Sequence, residues 1–152
     1  MGRSTDASVN CVFCEILAGD VPASFVYEDE LTAAFLDIRP ITKGHAVVVP
    51  RRHRLRLEDV DEREGVAMWN AAQKIAKAAQ KALHASGANL LLADGKSAGQ
   101  EVAHLHLHVI PRYRLDELVF NAQAWALAAP EREELMDTAS ALAAALAEKV
   151  DR

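Results

Sequence analysis

A chain of 152 residues with 51% apolar and 26% charged residues has the composition of one globular domain around a single core. Its formal charge of −5 excludes broad capture of nucleic acid or an anionic membrane through net charge, so any phosphate site must be local. No apolar run approaches the roughly 18 residues that read as a membrane span, and the opening MGRSTDASVN lacks the apolar core of a secretory signal, so a cytoplasmic protein is expected.

Residues 1–10 read as a flexible polar tail. NCVFCEILAGD predicts a short helix, with Asn10 as its N-cap and Gly19 as its terminator. SFVYED and LTAAFLD, joined at EDE, have the pattern of an antiparallel hairpin, and HAVVVP is a third strand closed by Pro50. DIRPITKGH between them is a loop. From about Asp59 to Ser86, Val66, Trp69, Ala72, Ile75, Ala76, Ala79 and Leu83 recur at helical spacing and predict a long helix stopped by Gly87. ANLLLAD and AHLHLHVIP are two further strands, separated by the turn GKSAGQE. RYRLDELVFNAQAWALAA has no single reading, and Glu131 to about Lys149, after Pro130, predicts a C-terminal helix. Hairpins with helices inserted between them indicate an α+β fold on an antiparallel sheet of about five strands.

HLHLHVIPR, from His104 to Arg112, holds three of the six histidines. Strand alternation places His104, His106 and His108 on one open face and Leu105, Leu107 and Val109 on the core face. Same-face residues stand about 6 to 7 Å apart, too far to converge easily on one ion, so a row of separate roles is more natural than one three-ligand site. A solvated face explains a single histidine, whereas strict alternation of three points to chemistry. Neutral imidazole is nucleophilic near pH 7, and a neighbouring imidazole can serve a developing oxyanion or a leaving group, a combination suited to attack on phosphorus. In DGKSAGQ, Gly95 and Gly99 permit close backbone approach to a phosphate and Gln100 offers an amide, although a plain hairpin turn explains the same glycines.

The only cysteines, Cys11 and Cys14, have the spacing for two thiolates on one cation but lack a second cysteine pair. Two packed thiols or a redox pair are the other readings. RRHRLR, from Arg51 to Arg56, reads as a solvated basic face.

AGQEVAHLHLHVIPR resembles the signature of the histidine triad (HIT) family of nucleotide hydrolases and transferases, in which alternating histidines follow a Gly-Gln turn. The resemblance continues through CVFCEILAGDVPASFVYEDE, AFLDIRPITKGHAVVVPRRH and LLLADGKSAGQ. It implies a HIT-like domain over 11–113, with 114–152 as a helical extension packed on the same domain. It also implies a catalytic set of His104, His106, His108, His45 and Gln100. Within that set, His106 forms a covalent nucleotidyl-histidine, His108 and Gln100 hold phosphate oxygens, and His45 orients the triad.

By the same resemblance Asp37 accepts the ribose hydroxyls, although a cap on the turn before Pro40 is its alternative reading. Phe13, Ile16, Val21, Phe35 and Ile38 sandwich the base, and Asp94 and Gly99 join Gln100, His106 and His108 around the nucleotide. The implied substrate is an AMP derivative carrying a phosphoramidate, acyl-phosphate or dinucleoside polyphosphate leaving group, handled by a homodimer without a catalytic metal. Zinc-binding members add a histidine from the end of the VVVPRRH strand and the first triad histidine, which implies a structural zinc on Cys11, Cys14, His53 and His104. Two departures stand out: several relatives have asparagine near Ala93 and Asp94, and serine or threonine at Glu101. A carboxylate beside a phosphate is unfavourable unless paired or turned away. The rival readings are a hydrolase whose triad binds a catalytic ion, and a nucleotide-binding scaffold without turnover.

Overall fold

The computed structural model describes residues 10–116 and 130–147. The expected tail, apart from Asn10, and much of the stretch after Tyr113 lie outside the described residues.

Strands β1 (Phe25–Glu28) and β2 (Thr32–Leu36) form the expected hairpin. Its turn closes on Asp29, whose Oδ1 accepts the Leu31 and Thr32 amides at 2.9 and 2.7 Å. Adding β3 (Ala46–Pro50), β4 (Gly87–Leu92) and β5 (Leu107–Arg112) gives a five-stranded sheet of order β1-β2-β3-β5-β4 with every neighbouring pair antiparallel.

Helices α1 (Val12–Ala18), α2 (Glu62–Leu83) and α3 (Arg132–Ala147) cover both faces of this sheet. On one face Ala34, Leu36, Ala46, Val48, Leu107 and Val109 meet Met68, Ala72 and Ile75 of α2 and Leu142 of α3. On the other, Ala33, Phe35, Val47 and Val49 meet Cys11, Phe13 and Ile16. Covering both faces buries β2 and β3 along their whole length. Each large aliphatic side chain so buried contributes about 1.5–3 kcal/mol.

Several helix details depart from the sequence expectation. Cys11, not Asn10, is the N-cap of α1 and makes no side-chain cap bond, while Gly19 ends the helix in the left-handed conformation as expected. Helix α2 starts later than Asp59, because Leu57–Asp59 forms a separate 3₁₀ turn and Asp61 and Glu64 close a reciprocal capping box. It ends at His84, which adopts φ 58, and Gly87 instead opens β4. Val66 and Trp69 are 54% exposed and stand off the core. The buried stripe runs through Glu64, Met68, Ala71, Ala72, Ile75, Ala78 and Ala79, whose small side chains bring α2 close to the sheet. Glu64, 1% exposed, also holds the Arg54 Nε at 2.9 Å, and the Arg54 carbonyl accepts the Leu105 amide at 2.6 Å. The start of α2 thereby fixes the segment that leads into β5. No described helix is long and apolar enough to cross a membrane.

Candidate functional site

Three adjacent strands bring the polar residues to one end of the α1 face. Asp37 follows β2, His45 precedes β3, and His108 lies within β5 opposite Val47. Gly44 delivers His45 through φ +84, a backbone conformation that favours glycine, and any Cβ there would also have to displace the Leu83 Cδ1 methyl 2.5 Å away.

The ladder of β5 begins at Leu107, so His104 and His106 precede the strand expected to carry them. Alternation nevertheless holds, since Leu105 and Leu107 pack into the α2 core. The expectation of an open imidazole face is corrected: His45 and His104 are fully buried, and His106 and His108 are 6% exposed. Helix α1 is the cover, with the Phe13 ring 5.8 Å from His104 and 5.2 Å from His106.

Hydrogen bonds assign the tautomers. The Ile41 amide donates to His45 Nδ1 at 3.0 Å, and a backbone N–H can only donate, so the His45 proton resides on Nε2. That Nε2–H donates to His108 Nδ1 at 3.0 Å, which places the His108 proton on its own Nε2. His106 Nδ1–H donates to the His104 carbonyl at 2.8 Å, leaving a lone pair on Nε2. The rings of His106 and His108 lie 4.7 Å apart. A nucleophilic nitrogen and an N–H donor are therefore held on neighbouring imidazoles.

Burial pushes the His45 pKa down to about 3 and the His108 pKa down to about 2, with the charge of His106 acting in the same direction. Burial also lowers His106 below its ordinary value. All three are neutral at pH 7. Below the ordinary histidine value of 6.5 the unfolded chain binds protons that the folded chain excludes, so stability present above that pH is lost as pH falls toward about 3. Urea midpoints are therefore expected to fall steadily from about pH 7 to about pH 4. A flat profile over that range would contradict the buried neutral network.

Asp37 matches its alternative reading as a cap on the turn before Pro40. Its Oδ1 accepts the Arg39 amide at 2.8 Å, closing the turn, while Oδ2 lies 3.8 Å from His45 Nε2 and 3.9 Å from His108 Nδ1. Burial raises its pKa. Gln100 departs from its expected role as a phosphate donor: its Nε2 donates to the carbonyls of Leu55 and Val102 at 3.0 and 2.9 Å, and its Oε1 accepts the Gly95 amide at 2.7 Å. Both amide protons are committed, so Gln100 braces the turn. Asp94 likewise accepts from Arg56 Nε at 2.7 Å and the Leu57 amide at 3.1 Å, and Glu101 pairs with Arg39 at 3.3 Å. Both unexpected carboxylates are thus paired. Gly99, at φ +90, ends the exposed turn Lys96–Ala98.

Of the expected base-contacting residues, Phe13, Ile16 and Phe35 pack together with Val21 beside them, whereas Ile38 is 70% exposed and stands apart. A cavity of about 460 Å³ is lined by residues including Leu36, Ile41, His45 and Leu135, and neither His106 nor Asp37 lines it. Ile41 escaped sequence reasoning because it acts through its main-chain amide.

The four residues expected to hold zinc converge. Cys11 Sγ lies 3.4 Å from His104 Nδ1, and Cys14 Sγ lies 3.3 Å from His53 Nδ1 and 3.6 Å from His104 Nδ1. Tetrahedral zinc with bonds of about 2.0–2.3 Å places its donors about 3.3–3.8 Å apart, so the set fits. His104 Nε2 donates to the Pro50 carbonyl at 2.9 Å, which frees Nδ1 to act as a ligand. Burial pushes the Cys14 thiol up to about 11, with Cys11 adding to the shift, so the ion would have to supply the charge that stabilises the thiolate. Asp37, His45 and His108 form a second cluster with ligand atoms within 4.8 Å of one another. There the Ile41 amide opposes a metal, because ligation through His45 Nε2 would require the other tautomer and the loss of that hydrogen bond.

Residues 18–115 match the HIT domain family. The chain belongs to that family. The HIT protein of Bacillus subtilis is 44% identical over 104 residues, 68% of this chain and 72% of that one. An adenylylsulfatase of Arabidopsis thaliana is 35% identical over 114 residues, covering 75% of this chain and 58% of the plant protein. Among solved structures, a zinc-bound histidine triad family protein from Mycobacterium smegmatis superposes with a TM-score of 0.81 at 43% identity, over 93% of this chain and 96% of that one. The HIT family and fold implied by the histidine signature are thus established for this chain, and a nucleotide is the class of partner that membership supports.

Proposed function

We propose that this HIT protein is a nucleotidyl hydrolase or transferase that cleaves an AMP derivative through a covalent intermediate on His106. The observation that carries this reading is the bond from His106 Nδ1 to the His104 carbonyl, which leaves a lone pair on Nε2 of a ring that lies 4.7 Å from that of His108. The His106 Nε2 lone pair bonds to the α-phosphorus, and the bond to the leaving group breaks with its electrons passing to the departing atom, which takes a proton from solvent. Water then adds to phosphorus, the P–N bond breaks with its electrons returning to Nε2, and the surplus proton passes to solvent. The His108 Nε2–H donates to the phosphoryl oxygens as charge builds on them. Asp37 accepts the ribose hydroxyls, and Phe13, Ile16, Val21, Phe35 and Ile38 flank the base. Asp94, Gly99 and Gln100 shape the phosphate side, Gln100 through the turn it braces. The adenylylsulfatase among the relatives supports nucleotidyl cleavage.

Cys11, Cys14, His53 and His104 would hold a structural zinc, whose chemistry is to cross-link α1 to the segments that follow β3 and precede β5. Reduced thiols at such a site suit a reducing compartment, in keeping with a cytoplasmic location. The fold is read as a domain over 11–113 with its C-terminal extension packed alongside.

The test is mass spectrometry of protein quenched during turnover of adenosine 5′-phosphoramidate, an acyl adenylate or a diadenosine polyphosphate. An AMP adduct on the wild type that is missing from His106→Ala is expected. Turnover no faster than that variant on every substrate would leave a binding protein.

A homodimer is part of this proposal. Edge strand β4 exposes Ala88, Asn89 and Leu90, and α2 exposes Val66 and Trp69, so sheet extension and helix pairing would bury both. Sedimentation is expected to show a two-chain species that Leu90→Lys combined with Trp69→Glu separates. A wild-type monomer at micromolar concentration would refute it.

A further inference from the structure

The turn before His104 carries a charge that the mechanism above does not use. Glu101 follows Gln100, whose three side-chain bonds fix the backbone at that point. Its side chain is 79% exposed and reaches Arg39 Nη2 at 3.3 Å. Arg39 in turn is tied through its amide to Asp37 Oδ1 at 2.8 Å. The ion pair therefore bridges the Asp37 loop and the turn leading to the histidines, along the solvent side of the site. The negative charge of Glu101 reaches Asp37 at the other end of this bridge, adding to the upward shift that burial gives its carboxyl.

In-line attack sends the leaving group away from the attacking nitrogen. His106 is buried, so the departing group points outward, toward the rim where Arg39 and Glu101 stand. The other guanidinium beside this turn, that of Arg56, is already neutralised by Asp94. A polyphosphate or carboxylate leaving group would thus meet Glu101 with its own cation partly engaged, whereas an ammonium would meet an attractive charge.

We propose that Glu101, held across the mouth by Arg39, selects the leaving group by charge, favouring a phosphoramidate whose amine carries a second, cationic group over one that ends in an anion. This rests on the hydrolase reading and names the substrate class for it. The chemical step is unchanged: the P–N bond breaks, the amine keeps the electron pair and takes a proton, and phosphorus passes to His106 and then to water. Because the pair is exposed, discrimination is modest and salt-sensitive.

The experiment compares three AMP phosphoramidates, built on 1,3-diaminopropane, butylamine and β-alanine, which end in an ammonium, a methyl and a carboxylate. Intrinsic differences among the amines cancel when the kcat/KM ratio of the cationic to the anionic substrate is compared between wild type and Glu101→Gln. The ratio is expected to fall by about threefold to tenfold in the variant, with the butylamine substrate unaffected, and to shrink in the wild type at about 0.5 M salt. Turnover with an equal ratio in both proteins, or with one that rises in the variant, overturns the role of Glu101 and leaves the hydrolase reading standing. No turnover of any of the three by the wild type overturns the leaving-group proposal, and the hydrolase reading falls with it only if acyl adenylates and diadenosine polyphosphates are not turned over either.

Discussion

Replacing His106 by alanine is expected to lower kcat by about a thousandfold or more while the chain stays folded. The size follows from the geometry: no other imidazole has the same orientation. His108 presents its proton where His106 presents a lone pair, and His104 directs Nε2 to the Pro50 carbonyl and Nδ1 to the cysteines. Neither neighbour can take over the attack without breaking a hydrogen bond inside the core. The structural cost of the change should be about 1–3 kcal/mol, since the side chain is 6% exposed and its removal leaves a small void against Phe13. Circular dichroism and a urea melt separate that cost from the catalytic loss. His108→Ala should be less severe, about a hundredfold to a thousandfold, because it removes one hydrogen-bond donor to the transition state and leaves the nucleophile in place. A His106→Ala protein that turns over within tenfold of wild type would refute the assignment.

The second large effect is expected from the thiolate site. Chelation, or Cys14→Ser, should lower the melting temperature by more than about 10 °C, because structural zinc contributes on the order of 10 kcal/mol in small domains and only part of that need be lost here. Helix α1 has seven residues, too few to persist without tertiary support, and it carries two of the four ligands at its start. Loss of the ion would loosen Phe13 along with the helix and let water onto His106. Zinc affinity should also decrease as pH falls, since the ion must displace the proton from the Cys14 thiol, whose pKa burial raises to about 11. Metal analysis of the purified protein and melts with and without chelator decide it. A melt that chelation does not move, or a protein that takes up no zinc, would exclude the site.

How much of this could be read from residue order varies with the kind of interaction. The hairpin, β3 and the long helix were legible because period-two and period-3.6 patterns reflect burial directly. The stripe of α2 was misjudged at Val66 and Trp69, since alanines occupy several of its faces and leave the large residues to dominate the pattern. Alternation assigned the histidines to one face, but a seven-residue helix was too weak a signal to show that this face is covered. The type of residue at position 100 suggested a donor, yet only three-dimensional neighbours reveal that its protons go to Leu55 and Val102. Local order missed the end of α2 for a related reason: His84 takes the left-handed turn that a glycine would take more easily.

The amide of Ile41 sets the direction of the whole imidazole chain, and that gives the network an unusual genetic profile. An instruction written in the main chain is shared by nineteen of the twenty amino acids, so the side chain at this position is free to drift without altering which nitrogen bears a proton. Proline alone lacks the N–H, and would erase the polarity of the relay in a single codon change while removing no imidazole from the site.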